Sequence, residues 1–221
     1  MRKLIILLFI ILSVSGCSTL NFKKINYVAL DNVDPKVVRE ELIKAMPERQ
    51  RVVSTIVFQY KWQSFTALGF TDIDTKQKTF GVVCLNMAGV KLFELSGDSN
   101  SLRPRFVLKE LIQRGDLPRA VGDDIRRVYF DIAPSESAKV IKERYRIIFK
   151  EQKGSGYIDY IFAGKDRYLV EKRCYENNKR LWTVFYYGYI LKEGKLYPAQ
   201  VLFKHHRFGY NLIIRLKEVR L

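Results

Sequence analysis

From Arg51 onward the chain takes a period of two. Ile56, Phe58, Tyr60 and Trp62 alternate with Val57, Gln59, Lys61 and Gln63, the period of a strand with one buried face. Alternation, or short apolar runs between turn residues, predicts further strands at 64–72, 79–85 and 90–95, joined through Asp74-Thr75-Lys76-Gln77-Lys78 and Asn86-Met87-Ala88-Gly89. Ser96-Gly97-Asp98-Ser99-Asn100 ends this meander. The same signals return at 145–149, 157–162, 168–175, 181–191, 196–203 and 211–219. Gly154-Ser155-Gly156, Glu176-Asn177-Asn178-Lys179 and Lys192-Glu193-Gly194-Lys195 are three of their turns, and 205–210 is read as a loop.

The period lengthens in two places. Asp34-Pro35 opens a helix to about Met46, with Asp34 as N-cap, Pro35 at the first position, and Val37, Val38, Leu42 and Ile43 on one stripe. The stretch 106–114 reads as helix, Gly115-Asp116 interrupts it, and 117–129 reads as helix again. There Val121, Ile125, Val128 and Tyr129 share one face, while Asp123, Asp124, Arg126 and Arg127 are expected on a solvated one. Pro134 stops the pattern. About nine or ten antiparallel strands with one helical insertion predict a mainly β fold, a sheet curled into a barrel or half-barrel.

The start of the chain follows another rule. Arg2 and Lys3 precede an unbroken apolar run from Leu4 to Leu12, too short to cross a bilayer, which takes about 20 residues. Charged start, apolar middle and small-residue end are the layout of a secretory signal. Val14-Ser15-Gly16-Cys17 resembles the bacterial lipobox. The resemblance implies cleavage before Cys17, acylation of that cysteine, and an anchor of two or three acyl chains, effectively permanent at about 0.8 kcal/mol per buried methylene. Residues 1–17 are then the signal segment, 18–30 a tether, and 31–221 one folded domain. By the same resemblance Ser18, in the position where Asp retains lipoproteins in the inner membrane, implies sorting to the outer membrane.

Composition narrows the partners. The formal charge is +16, of which Arg2 and Lys3 leave with the signal. In an exported protein that charge faces anionic headgroups or an acidic protein partner, or serves as a solubility coat, and nucleic acid is not the expected partner. With Cys17 acylated, Cys84 and Cys174 are left to form a disulfide or remain two buried thiols. No Cys or His spacing of a metal site occurs.

Two stretches resemble LolB, the outer-membrane lipoprotein receptor family. The first is 79–95, TFGVVCLNMAGVKLFEL, similar to a strand–loop–strand whose loop reads Asn-Pro-Leu-Gly. The second is Trp182-Thr183-Val184-Phe185-Tyr186-Tyr187-Gly188-Tyr189, followed by Pro198, Leu202, Gly209 and a closing strand over 212–216. With the lipobox and the mid-chain helices, the likeness of order covers most of the mature chain. It implies an incomplete antiparallel barrel covered by helices, receiving acylated lipoproteins from a LolA-like periplasmic carrier and placing them in the outer membrane. Phe58, Tyr60, Trp62, Phe80, Leu92, Phe149, Trp182 and Tyr186 are its candidate cavity walls; the same side chains could instead fill a core. In LolB the loop leucine protrudes and is needed to deliver cargo into membrane. Ala88 stands in that position and Met87 replaces the proline, so Met87 is the side chain large and flexible enough to insert. The segment 90–98 is also similar to LolB-like lipoproteins encoded beside aryl-polyene gene sets, which implies an alternative role as an accessory or scaffold in a lipid-linked pathway.

An enzyme is not expected. There is no G-x-S-x-G elbow, phosphate-binding glycine loop or H-E-x-x-H motif, and no cofactor is called for. His205 and His206 are the only histidines. They form either a pH-sensitive or headgroup-contacting pair or part of an exposed loop without function.

Overall fold

The computed structural model describes residues 22, 25–112 and 116–220. The signal segment, Cys17 and Ser18 lie outside them. Two meanders make the sheet. The first is β1 (Arg49–Tyr60), β2 (Gln63–Asp74), β3 (Thr79–Asn86), β4 (Lys91–Gly97) and β5 (Leu102–Val107). The second is β6 (Lys139–Glu143), β7 (Arg146–Lys153), β8 (Gly156–Ala163), β9 (Tyr168–Glu176), β10 (Lys179–Lys192), β11 (Lys195–His205) and β12 (Tyr210–Arg220). They join where β1 pairs antiparallel with β12, so the order across the sheet is β5-β4-β3-β2-β1-β12-β11-β10-β9-β8-β7-β6. The edges, β5 and β6, do not pair with each other, and the sheet stays open.

Helix α1 (Pro35–Ala45) starts as expected, with the Asp34 carboxylate accepting from the Lys36 N–H and Pro35 in the first turn. Its Val38 and Leu42 are buried against the second meander. Between the meanders lie α2 (Lys109–Ile112) and α3 (Leu117–Tyr129). The bend of the sheet follows from what α3 touches. Its Ile125 packs with Phe80, Val82 and Leu95 of β3 and β4, while Lys172 of β9 donates to the Arg127 and Phe130 carbonyls at its end. Strands β3 and β9 are six positions apart in the sheet, roughly 29 Å at 4.8 Å per strand. A helix about 10 Å across meets both only if the sheet curls around it. The mainly β fold expected from the periodicity is observed, with twelve strands instead of nine or ten, and in the incomplete-barrel form that the resemblance implied.

Turn chemistry sets the register. Asn177 and Asn178 both adopt the left-handed conformation (φ 48° and 59°) between β9 and β10, as a two-residue hairpin turn requires and asparagine tolerates. The Asn86 side chain accepts from the N–H groups of Ala88 and Val90, each at 2.9 Å, and holds the β3–β4 turn closed.

Three expectations are corrected. The stretch 106–114 does not form one helix: Phe106 and Val107 end β5, and only α2 is helical in its described part. Strand β5 escapes a periodicity reading because it is an edge with exposed Arg103, Pro104 and Arg105, a composition that edges favour. The exposed, charged edge β6 hides in the same way. On α3 the expected solvated face fails at Asp124, which is buried.

Candidate functional site

Register assigns faces. Ile56, Phe58 and Tyr60 lie opposite Ile214, Leu212 and Tyr210 of β12, and opposite Ala67, Phe65 and Gln63 of β2. Directly opposed residues point to one side of a sheet. Ile214 belongs to the core under α1 and α3, so this is the inner, helix-covered face. Along most of the sheet that face is filled. Phe149, Trp182 and Tyr186 are buried in the larger core with Val38 and Val128, and Phe80 is buried against Ile125 and Phe130. Leu92 packs with Ala67 and Cys84 beneath Leu108 and Leu111, at the start of α2.

Cover ends toward the β1–β2 turn. Strand β3 stops pairing at Ala67, so residues 63–66 of β2 run past it. There the opposed pair Phe58 and Phe65 remains 37% and 47% exposed. Phe58 packs on Tyr210 with ring centroids 5.3 Å apart. Tyr60 is also partly exposed, and Trp62 stands on the turn itself, away from any wall. Met87 and Ala88 occupy the exposed tip of the β3–β4 turn. The eight expected wall residues thus fall into three groups: Phe80, Leu92, Phe149, Trp182 and Tyr186 in filled core, Phe58 with Tyr60 at an uncovered mouth, and Trp62 on the turn. Phe65, which alternation along β2 places opposite Phe58, was missed.

A polar cluster flanks this mouth on the β12 side. The Tyr210 hydroxyl donates to Asp124 at 2.5 Å, and Arg127 Nη1 donates to the other carboxylate oxygen at 2.8 Å. Burial nevertheless pushes the Asp124 carboxyl up to about 6. His205, expected in a loop, is the last residue of β11. It is buried, its ring 5.0 Å from that of Tyr210 and 4.5 Å from that of Phe208. Burial, then the Arg127 charge, push it down to about 4, so it is a neutral ring accepting from the Phe208 N–H. His206 is exposed and hydrogen-bonded to the Thr183 hydroxyl.

Lys172 was not anticipated. Its ammonium is wholly buried, between the Tyr160 and Trp182 rings, and caps the carbonyl end of α3. Burial pushes it down to about 7. Cys84 and Cys174 are free thiols, and burial raises that of Cys84 to about 12. Among the described residues no three His, Cys, Asp or Glu side chains are grouped to hold a metal ion, and no helix is long and apolar enough to cross a membrane.

A curled, open antiparallel sheet with helices lining its inner face is a recognisable architecture. The fold is LolA-like. A LolA-superfamily protein from Nitrosomonas europaea superposes with a TM-score of 0.55 at 9% identity, over 86% of this chain and 94% of that one. A putative outer membrane lipoprotein-sorting protein domain from Vibrio parahaemolyticus gives 0.52 at 10% identity, over 84% and 90%. A DUF1329 family protein from Desulfovibrio piger gives 0.51 at 9% identity, over 85% and 93%. No protein-family sequence pattern matches the chain, and neither does any curated protein sequence. What these three proteins share with this chain is therefore the fold.

Proposed function

We propose that this chain is a lipid-anchored protein of the bacterial envelope. It holds an acylated cargo, lipoprotein or lipid, against its inner face and passes it to the outer membrane. The observation that carries this reading is the uncovered pair Phe58 and Phe65, continuous with Ala67 on the face that α2 and α3 cover elsewhere. An apolar wall left open beside a buried polar cluster suits an amphiphile, with its chain on the phenylalanines and its polar end toward Tyr210. Acylated Cys17 is the anchor in this reading, Ser18 the sorting residue, and a LolA-like periplasmic carrier the donor. The exposed Met87–Ala88 turn touches the bilayer at release. The chemistry is binding, not catalysis.

A second reading, a scaffold lipoprotein of a lipid-linked pathway, is favoured by the depth to which Phe149, Trp182 and Tyr186 fill the core. Native mass spectrometry with lipid extraction, on the full chain purified in detergent from an exporting bacterium, separates the two. The carrier predicts acyl mass on Cys17 plus a second, exchangeable acylated species, lost in Phe58→Ala. A protein that carries only its own acyl chains and takes up no fluorescent fatty acid is the scaffold.

A further inference from the structure

The β1–β2 hairpin closes with the pair Tyr60 and Gln63, leaving a two-residue turn, Lys61–Trp62. Trp62 is 85% exposed, more than any other large apolar side chain among the described residues. On the other side of β1, Tyr60 pairs with Tyr210, so the β11–β12 turn emerges beside the hairpin tip. It presents Phe208, 61% exposed. Each turn sets a cation beside aromatic rings: Lys61 Nζ lies 5.4 Å from the Tyr60 ring centroid, and the Arg207 guanidinium 5.8 Å from that of Phe208. Lys204 lies just below, over Phe185. Neither 59–64 nor 204–211 contains an acidic residue.

An indole at a solvated tip, beside a second exposed ring and cations without acids, has the chemistry of the bilayer interface. Tryptophan settles there at headgroup level, while Lys and Arg meet lipid phosphates. We propose that these two turns form a docking surface for an anionic lipid bilayer, with Trp62 and Phe208 entering the headgroup layer and Lys61, Lys204 and Arg207 meeting phosphates. This rests on the envelope reading above and deepens it. The surface is separate from the Met87–Ala88 turn, because β3 ends short of the hairpin tip. Docking this way turns the Phe58–Phe65 mouth toward the membrane, so an acyl chain leaves the wall for lipid without crossing water.

Trp62 reports on its own burial, because the other tryptophan, Trp182, is already in the core. The test uses the full chain on vesicles of phosphatidylcholine, with or without phosphatidylglycerol, some carrying brominated acyl chains. Trp62→Phe supplies the Trp182 background. With phosphatidylglycerol present, the Trp62 emission shifts to the blue and bromine quenches it at least twofold. High salt, or the Lys61→Glu and Arg207→Glu pair with an unchanged circular dichroism spectrum, abolishes the effect. Trp62 emission that stays water-like on anionic vesicles, or quenching equal on neutral ones, overturns the proposal, and the former leaves a protein partner as the occupant. Acyl mass on Cys17 and vesicle co-sedimentation are read on the same sample. An unanchored chain that still shows the quenching keeps the docking surface and loses the anchor; an anchored chain without it does the reverse.

Discussion

The Tyr210 hydroxyl and the Asp124 carboxylate, 2.5 Å apart, tie the first residue of β12 to the middle of α3. The same Tyr210 ring is the floor on which Phe58 packs. The helix that covers the inner face is therefore fastened beside the uncovered mouth, and the fastening titrates.

Asp124 and His205 oppose each other in acid. The Asp124 carboxyl is raised from 3.8 to about 6, so between those values the native state holds the extra proton. Its contribution is full below pH 3.8 and lost as pH rises through 6. His205 is depressed from 6.5 to about 4, so there the unfolded state holds the extra proton, and its contribution is full above pH 6.5 and lost as pH falls through 4. Each is worth at most about 3 kcal/mol, at 1.36 kcal/mol per pH unit. The wild type is expected to show a shallow slope from pH 4 to 6. Asp124→Asn should become more stable with rising pH and His205→Asn less stable; urea unfolding at pH 4.5 and 6 checks the two signs.

Lys172 gives a slope on the alkaline side. Its pKa falls from 10.5 to about 7 on folding, so the unfolded chain holds the extra proton between them and stability rises with pH. The full span is worth up to about 5 kcal/mol. A neutral amine still donates to the Arg127 and Phe130 carbonyls, so deprotonation leaves the cap in place. The unfolding midpoint should climb from pH 7 to 9, and Lys172→Met should remove the climb while lowering stability at pH 9.

Wall and core separate by mutation. Phe149→Ala empties filled core and should cost about 3–5 kcal/mol. Phe58→Ala and Phe65→Ala act on half-exposed rings and should cost less than half as much, yet weaken binding of a fluorescent fatty acid about tenfold. Parallel denaturation and titration of the three variants is the check. Equal binding in Phe58→Ala and wild type would remove the mouth from the cargo site.

Two glycines should answer alanine differently. A Cβ at Gly156 would run into the Tyr175 carbonyl oxygen, backbone that cannot swing away, whereas one at Gly81 meets open space. Gly156→Ala should lose about 2 kcal/mol or more. Gly81→Ala should be neutral or slightly stabilising, since alanine restricts the unfolded chain. Thermal melts of both decide it.

The long strands were legible because each has one apolar face: Ile56, Phe58 and Tyr60 announce β1, and their partners on β12 read the same way. The edge strands were not: in Leu102–Val107 only the two end residues pack against the core, and the four between them are exposed, so no alternation shows. The site was legible in part. Phe58 could be placed on a wall, but nothing local shows where cover stops, because that depends on β3 ending opposite Ala67. Lys172 was hidden by a register shift in the β8–β9 ladder, between Ile161 and Phe162. It breaks the alternation along β9, so the lysine that caps α3 reads as one more surface charge. Asp124 looks solvated on a helical wheel; only the distant Tyr210 makes burying it tolerable.

The joining of the two meanders at β1 and β12 has a kinetic consequence. Every other ladder forms between neighbours in the chain and can zip as soon as its hairpin exists. The seam alone must wait for residues 210–220, so until they are available β1 offers a bare edge open to pairing with other chains. A chain made from its N-terminus needs protection at that edge for the whole interval. Loss of the 210–220 strand should therefore be felt as aggregation of the first meander, not as a trimmed but working protein.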